Sequence, residues 1–597
     1  MDRISRRNGR AVNGFHRADL SPATEMVLHL GTAGDAFDDN RDIAFGPHCF
    51  VGREDVLPGW RDYPFIDPFP DAETLIETEK NIAVLVSGLL PGIVDRLNAY
   101  HGTAYSIGFW RTLVLPWLLE IVQRAWTSYA TLQIIKNRIG DRRLGVRILQ
   151  DPPESGFENS EHFLRSLMRD YNFNWWIDSE VVAAIAPDNW VLIPSEPMAP
   201  AFAAVVRQPI ERPTSRLRHA LRNMKHRIGY SDIVGIRWSG IALALFANLL
   251  PKKPARELPT PLSEVQIKSL FPESFLELVG RLTDRTMPRT MLDGFADLAA
   301  GARKLPFKAG RLRIGAVDNW NDNEKIVAAF AREEREKLVQ CQHGGLYGLN
   351  AYDLMTNEIE LNYNIFISWG WTLDEPTFGH ILPLPAPYLS KIANRHRRRN
   401  ESVIVVGNPI RLRLGRIVDG PRGAGWLRYC EHTLDFLKTL SENARRSTIF
   451  RPYVKAASDI DIGHVVGDRF PDMPMLEGDL HAAMMKCKLL VIGNCSTTLN
   501  LAMAANVPTV VYCHEDFLIL CKEAVPYFDA LKRAGILFSD AEAAARHVNR
   551  IWNDVEGWWH GRDVQDARKN WVRQYARVDR FWWWQWMKAL SRLKEIG

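Results

Sequence analysis

A series of short runs rich in β-branched residues constrains the fold of this chain more than any other feature. Each run ends in Gly, Asn, Pro or a turn and is followed by helical spacing, which is the pattern of parallel βα units. Nine such runs are predicted to be strands: Met26–Gly31, Trp190–Pro194, Arg311–Gly315, Lys337–Gln342, Asn364–Ser368, Val403–Gly407, Thr448–Arg451, Lys488–Gly493 and Pro508–Tyr512. Because nine strands exceed one sheet of usual size, we predict an α/β fold with two doubly wound sheets.

Length and composition are consistent with two large domains. The chain has 597 residues, of which 46% are hydrophobic and 24% are charged. Domains typically run to about 100–200 residues, so more than one core can form. The composition is that of an ordinary globular protein rather than a disordered or fibrous one.

Helical spacing and linker-like composition indicate where the domains end. Residues with helical spacing occupy two intervals, 72–137 and 213–302, and we predict helical insertions there. The prolines of Pro383–Pro387 and the charged run Arg395–Asn400 are typical of an interdomain linker. We therefore predict a disordered N-terminus (1–20), a first α/β domain with both insertions (21–400), a second α/β domain (401–545) and C-terminal helices (546–597).

Cysteine usage and hydropathy favour a cytoplasmic protein. The seven cysteines lack any Cys-x-x-Cys pair, which favours a reducing compartment over a zinc site. Residues 1–14 are basic and polar and lack the apolar segment of a secretory signal. The longest apolar run, Trp238–Leu250, has 13 residues, whereas about 20 are needed to span a bilayer. We expect a protein that does not cross the membrane by itself.

Positive charge is concentrated in two clusters although the net charge is only +5. The clusters comprise Arg212, Arg216, Arg218, Arg222, Lys225 and Arg227, and Arg395, Arg397, Arg398 and Arg399. Such clusters attract anionic lipid headgroups, nucleotide phosphates or nucleic acid, but a solvated helix and a basic linker have the same composition. No recognition motif accompanies them, so we expect no nucleic-acid partner.

The C-terminal end combines tryptophan with arginine and lysine. Its aromatic residues include Trp558, Trp559, Trp571, Phe581, Trp582–Trp584 and Trp586. At a bilayer interface, indole rings lie at headgroup level and cations bind anionic lipid. Terminal helices that pack on the first domain would instead bury the same rings. We favour packing for Trp558 and Trp559, and the membrane for Trp582–Trp586.

A Gly-rich turn, Gln-His-Gly-Gly-Leu-Tyr-Gly, directly follows the predicted strand that ends at residue 342. Open α/β folds bind ligands at the carboxyl ends of parallel strands. Gly344 and Gly345 allow backbone N–H groups to approach a phosphate or carboxylate, and the His343 imidazole can bind a ligand or move a proton. Glu358 and Glu360 could supply a general base or a nucleophile; a solvated helix start is the alternative.

Hydroxyl side chains follow a predicted strand of the second domain. Ser496, Thr497 and Thr498 open a helix, and a helix N-terminus offers unpaired N–H groups and a positive dipole end to a phosphate. One hydroxyl suffices for a cap, so three favour phosphate binding. Arg451 and Tyr453 also follow a strand, where the cation could neutralise phosphate and the ring could stack on a base. A buried ion pair is the alternative for Arg451.

These segments resemble a family of surface-carbohydrate or O-antigen transferases first identified in spirochaetes and other Gram-negative bacteria, and its C-terminal part is similar to capsule Kdo transferases. The resemblance runs almost throughout the chain, over Leu30–Thr32, Phe45–Cys49, Leu97–Gly102, Phe109–Trp110, Pro116–Leu118, Gln342–Gly345, Trp369–Trp371, Ser496–Thr498, Ala505–Thr509, Gly535–Leu537 and Trp558–Trp559. At Arg451–Tyr453 the chain departs from the Pro-His-Pro-like motif of the capsule enzymes, so no CMP-contacting histidine is carried over.

The resemblance implies a GT-B fold, in which two Rossmann-type domains face a cleft, and a glycosyltransferase of surface polysaccharide, O-antigen, lipopolysaccharide or capsule synthesis. It implies that residues 401–545 hold a nucleotide-sugar donor and residues 21–400 a glycan or lipid-linked glycan acceptor, at the inner face of the cytoplasmic membrane. CMP-Kdo or another CMP-linked nonulosonate is the donor that the capsule relatives suggest. GT-B enzymes generally need no catalytic metal, so we expect neither a metal nor a cofactor.

The working hypothesis assigns donor phosphates to Ser496, Thr497, Thr498 and Arg451, and the chemistry at the sugar carbon to His343 with either Glu358 or Glu360. Two alternatives stay open. A nucleotide-sugar epimerase or polyol-phosphate transferase could use the same fold, since fold does not fix function. A noncatalytic scaffold of a polysaccharide assembly complex could use the basic and tryptophan-rich surfaces.

Overall fold

The computed structural model describes residues 26–50, 53, 56–57, 59–152, 156–198, 224–230, 238–249, 253–256, 269–316, 318–413, 425–453 and 460–593. The segment 1–20, predicted to be disordered, lies outside these ranges. So do four members of the first basic cluster, Arg212, Arg216, Arg218 and Arg222, and part of the helical insertion predicted over 213–302.

The described strands form three parallel sheets. Their bounds are β1 (Met26–His29), β2 (Ile43–Ala44), β3 (Leu144–Ile148), β4 (Trp190–Pro194), β5 (Leu312–Gly315), β6 (Lys337–Cys341), β7 (Ile365–Ser368), β8 (His380–Pro383), β9 (Val403–Val406), β10 (Thr448–Arg451), β11 (Leu489–Ile492), β12 (Thr509–Tyr512) and β13 (Leu537–Phe538). Sheet A has the order β2-β1-β3-β4, sheet B the order β5-β6-β7-β8, and sheet C the order β10-β9-β11-β12-β13.

All nine predicted strands form, and the α/β class is confirmed. The sequence did not indicate β2 and β13, which have only two residues each, or β3 and β8, in which charged or imidazole side chains interrupt the apolar run. The described strands form three sheets rather than the two predicted. The prediction was wrong because apolar runs do not show which strands pair. Sheet A separates β1 and β4 from the strands of sheet B.

The described helices connect and cover these sheets. They are α1 (Ala72–His101), α2 (Ile107–Ile139), α3 (Ser160–Arg169), α4 (Tyr171–Ile185), α5 (Trp238–Ala247), α6 (Glu273–Thr286), α7 (Phe295–Ala302), α8 (Asp322–Glu333), α9 (Leu354–Glu358), α10 (Pro387–Ile392), α11 (Gly425–Thr439), α12 (Glu442–Arg446), α13 (Ile462–Arg469), α14 (Leu480–Met484), α15 (Thr497–Ala505), α16 (Val525–Arg533), α17 (Ala541–Ile551), α18 (Val555–His560), α19 (Arg562–Tyr575) and α20 (Trp582–Arg592).

The first predicted helical interval forms the two long helices α1 and α2. The Asp71 carboxylate accepts a hydrogen bond from the Thr74 N–H at the start of α1, which satisfies one of the unpaired donors of the helix end. Gly102 caps the C-terminus of α1 with a φ of 61°, a left-handed conformation that favours glycine. Among the described helices, α1 is long and apolar enough to span a membrane by length and composition. A helix packed in a protein core meets the same criteria, and α1 packs against α2.

Both faces of sheet B are covered by helices. α8 packs on one face, and α5 and α20 pack on the other, where Leu243 and Trp586 contact a cluster that includes Val339 and Ile365. α20 is the last described helix of the chain, yet it completes the core of a sheet that ends at residue 383. α20 therefore returns to the first domain, whereas α19 packs on α15 and α16 of the second domain.

Sheet C has a topological switch point between β9 and β11. The chain goes from β9 to β10 on one side and then returns to β11 on the other side. Loops leave such a point in opposite directions and open a crevice at the carboxyl edge of the sheet. The predicted domain boundary near residue 400 lies between β8 of sheet B and β9 of sheet C.

A buried ion network ties sheet C to the helices around sheet A. The Asp178 carboxylate, which is fully buried, accepts hydrogen bonds from Arg124 at 2.6 Å and from Arg413 at 2.9 Å. Asp178 lies on α4 and Arg124 on α2, whereas Arg413 follows β9. Because one carboxylate serves both arginines, the network fixes the loop after β9 against sheet A.

The C-terminal tryptophans divide into packed and exposed rings. Trp559 and Trp571 are buried, and their indole N–H groups donate to Asn506 and Asn500, each at 2.9 Å. Trp559 is thus packed as predicted, but against the second domain rather than the first. Trp586 is also buried on sheet B, so the expectation that it meets a membrane is wrong for this ring. Trp583 and Trp584 are exposed.

Candidate active site

A cleft of about 680 Å³ lies where the carboxyl edges of sheets B and C face each other. Loops after β5, β6 and β11 form its walls. Six of the residues predicted from the sequence line it: His343, Gly344, Gly345, Glu360, Ser496 and Thr497. The structure thus brings two segments together that are about 150 residues apart in the chain.

Gly345 allows the two walls to touch. A Cβ atom at this position would lie 2.3 Å from the Thr497 nitrogen, which is closer than any side chain can approach. The Asn500 side chain donates to the Gly345 carbonyl at 3.4 Å, and the Trp571 indole donates to Asn500 at 2.9 Å. Glycine at 345 is therefore a requirement of the contact between the walls.

Gln342 holds the Gly-rich turn in place. Its amide donates to the Gly344 carbonyl at 2.8 Å. Its carbonyl accepts from the Trp369 N–H at 2.7 Å and from the Trp371 indole at 2.8 Å. The Trp369–Trp371 segment, which was matched by resemblance, thus positions the turn that carries His343.

His343, Tyr347 and Glu360 form a hydrogen-bonded triad in the cleft wall. The Tyr347 hydroxyl lies 3.1 Å from the His343 ring nitrogens and donates to the Glu360 carboxylate at 2.9 Å. The His343 ring and the Glu360 carboxylate are themselves 4.0 Å apart. The hydroxyl can accept a hydrogen bond from the imidazole while it donates one to the carboxylate.

Burial lowers the pKa of His343 from its ordinary value, and the nearby Asp318 carboxylate opposes part of this shift. The imidazole is therefore neutral at pH 7 and can accept a proton. Glu360 is 6% exposed. The triad places a neutral base next to a buried carboxylate, which can stabilise the imidazolium once it forms.

Of the two predicted glutamates, Glu358 lies outside this triad. Its carboxylate pairs with Arg111 on α2 at 3.1 Å and accepts from the Tyr352 hydroxyl at 3.1 Å. It does not line the cleft. The two glutamates are only two residues apart, but the end of α9 falls between them and turns their side chains to different neighbours.

Ser496 occupies the N-cap position of α15, but its side chain makes no capping hydrogen bond. Capping was the structural alternative for this hydroxyl, so the observation favours a role in the cleft. Thr497 lies beside it in the same wall. Thr498, one residue further along the helix, does not line the cleft.

Arg451 and Tyr453 lie at the carboxyl edge of sheet C but outside the lining of this cleft. Arg451 ends β10, which pairs with β9 on the side away from β11. Its Nη1 donates to the Pro452 carbonyl at 2.9 Å, and its buried Nε has no hydrogen-bond partner among the described residues. The buried ion pair that was the alternative for Arg451 does not form within the described chain. Tyr453 is 43% exposed.

Two features of the site escaped the sequence analysis. Tyr347 stands within the Gly-rich turn but shows its role only through its contacts with His343 and Glu360. The loop after β5, including Asp318 and Asn319, also lines the cleft; it follows a predicted strand, and that position was its only signal. Within the described residues, no group of three or more His, Cys, Asp or Glu side chains could hold a metal ion.

Two solved structures are similar to parts of this chain. Trehalose-6-phosphate synthase OtsA is 12% identical over 58% of this chain and 89% of its own, with a TM-score of 0.29. WaaG, a glycosyltransferase involved in lipopolysaccharide biosynthesis, is 12% identical over 80% of this chain and 96% of its own, with a TM-score of 0.24. These scores are too low to assign an activity. No curated protein matches the sequence.

A family model described as LIC12162 family transferase matches residues 26–590. The match runs from β1 to α20 and therefore includes all three sheets and both walls of the cleft. The resemblance to a transferase family is confirmed by this match, which covers nearly the whole chain. The chain belongs to the LIC12162 family of transferases.

Proposed function

We propose that this transferase is a glycosyltransferase that moves a sugar from a nucleotide-sugar donor to a glycan or lipid-linked glycan acceptor. The observation that carries the proposal is the pair of cleft walls. One wall presents His343, a neutral proton acceptor, and the other presents the N-terminus of α15. A base facing an anion-binding helix end suits direct transfer of a sugar from a nucleotide to an acceptor hydroxyl.

The donor phosphates bind at α15 in this proposal. The positive end of the helix dipole and the Ser496 hydroxyl, which is not used as a cap, both favour a phosphate there. Arg451 and Tyr453 lie two strands away at the same edge, a distance of about 10 Å. That spacing suits the nucleoside end of an extended donor.

His343 acts as the general base. The Tyr347 hydroxyl lies 3.1 Å from both ring nitrogens; in this proposal one nitrogen donates to it and the other accepts the proton of the acceptor hydroxyl. The acceptor oxygen bonds to the anomeric carbon, and the bond from that carbon to the donor phosphate breaks. Its electron pair leaves with the nucleotide phosphate, whose charge the α15 N-terminus stabilises. Glu360 stabilises the imidazolium through Tyr347.

The finer assignments rest on the resemblance to surface-carbohydrate enzymes. We propose CMP-Kdo or another CMP-linked nonulosonate as the donor, and an O-antigen, lipopolysaccharide or capsule glycan as the acceptor. The proposed location is the cytoplasmic face of the inner membrane. Transfer without a metal or cofactor is part of the same proposal.

A thermal-shift panel tests donor binding. The full-length protein is melted with CMP, CDP, UDP, GDP and their sugars, since a ligand at 100 times its Kd stabilises the folded state by about 2.7 kcal/mol. We expect one nucleotide class to raise the Tm, and the S496A/T497A variant to lose that shift. Ser239→Ala, at an exposed position on α5, serves as the control and should keep it.

A product assay separates the alternatives. With donor and a glycan acceptor, a glycosyltransferase forms a longer glycan and free nucleotide. Conversion of the donor without any acceptor would instead identify an epimerase. If the folded protein shows neither binding nor conversion, the scaffold hypothesis replaces the transferase proposal.

A further inference from the structure

The outer side of α20 is an aromatic and basic surface. Trp586 and Leu590 on the inner side of α20, and Leu593 just after it, pack on sheet B. The Trp586 indole donates to the Pro385 carbonyl at 2.9 Å. Three large rings near the start of α20 are exposed: Phe581 at 57% and Trp584 at 56% lie on the opposite side, and Trp583 at 46% lies at the edge of the inner side, seven residues before Leu590. We call Phe581, Trp583, Trp584, Lys588 and Arg592 the α20 face.

α5 extends the apolar part of this surface. It packs beside α20 on the same side of sheet B. Leu245 is 51% exposed and Leu249, just past the end of α5, is 73% exposed. Exposed apolar side chains scattered singly are ordinary, but several on adjacent elements mark an interaction site.

The exposed charges next to these rings are positive. Arg580, Lys588 and Arg592 are exposed, and Lys588 and Arg592 are four residues apart, which places them on the same side of the helix. Neither α5 nor α20 contains an Asp or Glu. Asp579, at the start of this segment, is partly buried, and its carboxylate accepts hydrogen bonds from the Phe581 N–H and the Gln585 amide. The surface therefore combines apolar rings with a net positive charge.

We propose that the α20 face docks on the surface of an anionic lipid bilayer. Trp584 and Trp583 would lie at headgroup level, and Lys588, Arg592 and Arg580 would face the lipid phosphates. Each cation near such a surface adds to the attraction, and salt weakens that contribution. Only the α20 face inserts, because Trp582 and Trp586 are held by packing on sheet B.

A second copy of the chain fits this surface less well. A two-fold interface would place the same patch on both subunits, so Arg580, Lys588 and Arg592 would face their own copies. Like charges would repel, whereas anionic headgroups neutralise all three. Charge complementarity thus selects the bilayer.

Docking would also bring the cleft near a lipid-linked acceptor, an inference that rests on the proposed function. α20 covers the flank of sheet B, and the cleft opens at the carboxyl edge of the same sheet. A bilayer under the α20 face would keep the cleft close to glycans carried on lipid. The binding proposal itself needs no donor, acceptor or turnover.

Vesicle co-sedimentation of the full-length protein tests the docking. Vesicles of phosphatidylglycerol and phosphatidylcholine are compared with vesicles of phosphatidylcholine alone, at low and high salt. We expect binding to the anionic vesicles that is at least 10-fold tighter than to the neutral ones and that weakens with salt. Equal binding to both, or no binding to either, would overturn the proposal.

Variants locate the contact. W583S/W584S and K588E/R592E should each weaken binding to anionic vesicles at least 10-fold, with unchanged circular dichroism because these side chains are exposed. Tyr100→Ser removes an aromatic ring that is 61% exposed on α1 and should bind like the wild type. If W583S/W584S instead converts a dimer to a monomer in light scattering and leaves vesicle binding intact, the surface is a subunit interface and the proposal is wrong. Failed transfer with intact vesicle binding would count against the proposed function alone.

Discussion

The hydroxyl of Tyr347 donates a hydrogen bond to the carboxylate of Glu360 over 2.9 Å. The same hydroxyl lies 3.1 Å from the His343 ring nitrogens, so a single side chain joins the proposed base to its carboxylate. This link separates a positioned base from a histidine that merely lines a cleft. It also makes the role of Tyr347 testable without removing either titrating group.

Tyr347→Phe should lower kcat by about 10- to 100-fold, because the imidazolium loses its connection to Glu360. Without that connection the protonated ring is less stable, so the acid limb of the kcat/KM profile should move to lower pH. The KM for the donor should stay unchanged. Tyr352→Phe is the matched control, since it removes the corresponding bond to Glu358; it should leave the profile in place. A profile that does not move in Tyr347→Phe would contradict the relay.

Glu360→Gln and Glu358→Gln should have opposite consequences. Glu360→Gln should reduce kcat by about 100-fold with little change in Tm, because its carboxylate serves the triad. Glu358→Gln should keep kcat and lose about 1 kcal/mol of stability through the Arg111 pair. Steady-state kinetics and urea unfolding of both variants measure the difference. Equal losses of kcat would show that the structure does not distinguish the two glutamates.

Gly345→Ala should separate the cleft walls. The added Cβ would lie 2.3 Å from the Thr497 nitrogen, and such overpacking costs about 1–3 kcal/mol. We expect lower stability and at least a 10-fold loss of donor affinity, measured by urea unfolding and isothermal titration. Gly92→Ala on α1, where nothing lies within 4 Å of the new Cβ, should instead be neutral or stabilising by up to about 1 kcal/mol. A neutral Gly345→Ala would argue against the close contact.

The free energy of unfolding should decrease as the pH is lowered, because of His547. Burial, with a smaller effect of Arg550, lowers the pKa of His547 to about 4, whereas the unfolded chain has an ordinary pKa of about 6.5. The folded state therefore binds fewer protons between these values, and its advantage is present above pH 6.5 and lost as the pH falls toward 4. Between pH 7 and 5 the expected loss is about 2 kcal/mol. Urea unfolding of His547→Asn should show a flatter dependence on pH; the same slope as the wild type would rule out this group.

The Asp178 network should be far more important for stability than a surface pair. Asp178→Ala leaves Arg124 and Arg413 without their shared carboxylate, and breaking a buried pair costs about 3–5 kcal/mol. Asp516→Ala removes an exposed partner of Arg428 and should cost less than about 1 kcal/mol. Chemical denaturation of the two variants provides the comparison. Similar losses would mean that Asp178 is not a structural tie between sheets A and C.

The sequence predicted the parts of this fold that depend on neighbours along the chain. A strand such as β11 can be predicted because its four residues are all apolar, as its burial on both faces requires. Ser496 and Thr497 follow it as neighbours in the sequence. β3 was missed because Arg147 interrupts its apolar run. The Gly-rich turn and the hydroxyl-rich helix start were both identified from the sequence alone.

Only the tertiary structure decided which of these parts meet. The pairing of strands joins distant segments into three sheets, and the contact of Gly345 with Thr497 joins segments about 150 residues apart. No local pattern encodes either relationship. The choice between Glu358 and Glu360 depended on where α9 ends and on the neighbours of each carboxylate. Trp584 and Trp586 lie two residues apart in the same tryptophan-rich segment, but Trp586 is buried on sheet B and Trp584 is exposed. Adjacent residues determine the local elements and the chemical groups they carry, whereas burial and proximity arise only when distant surfaces pack.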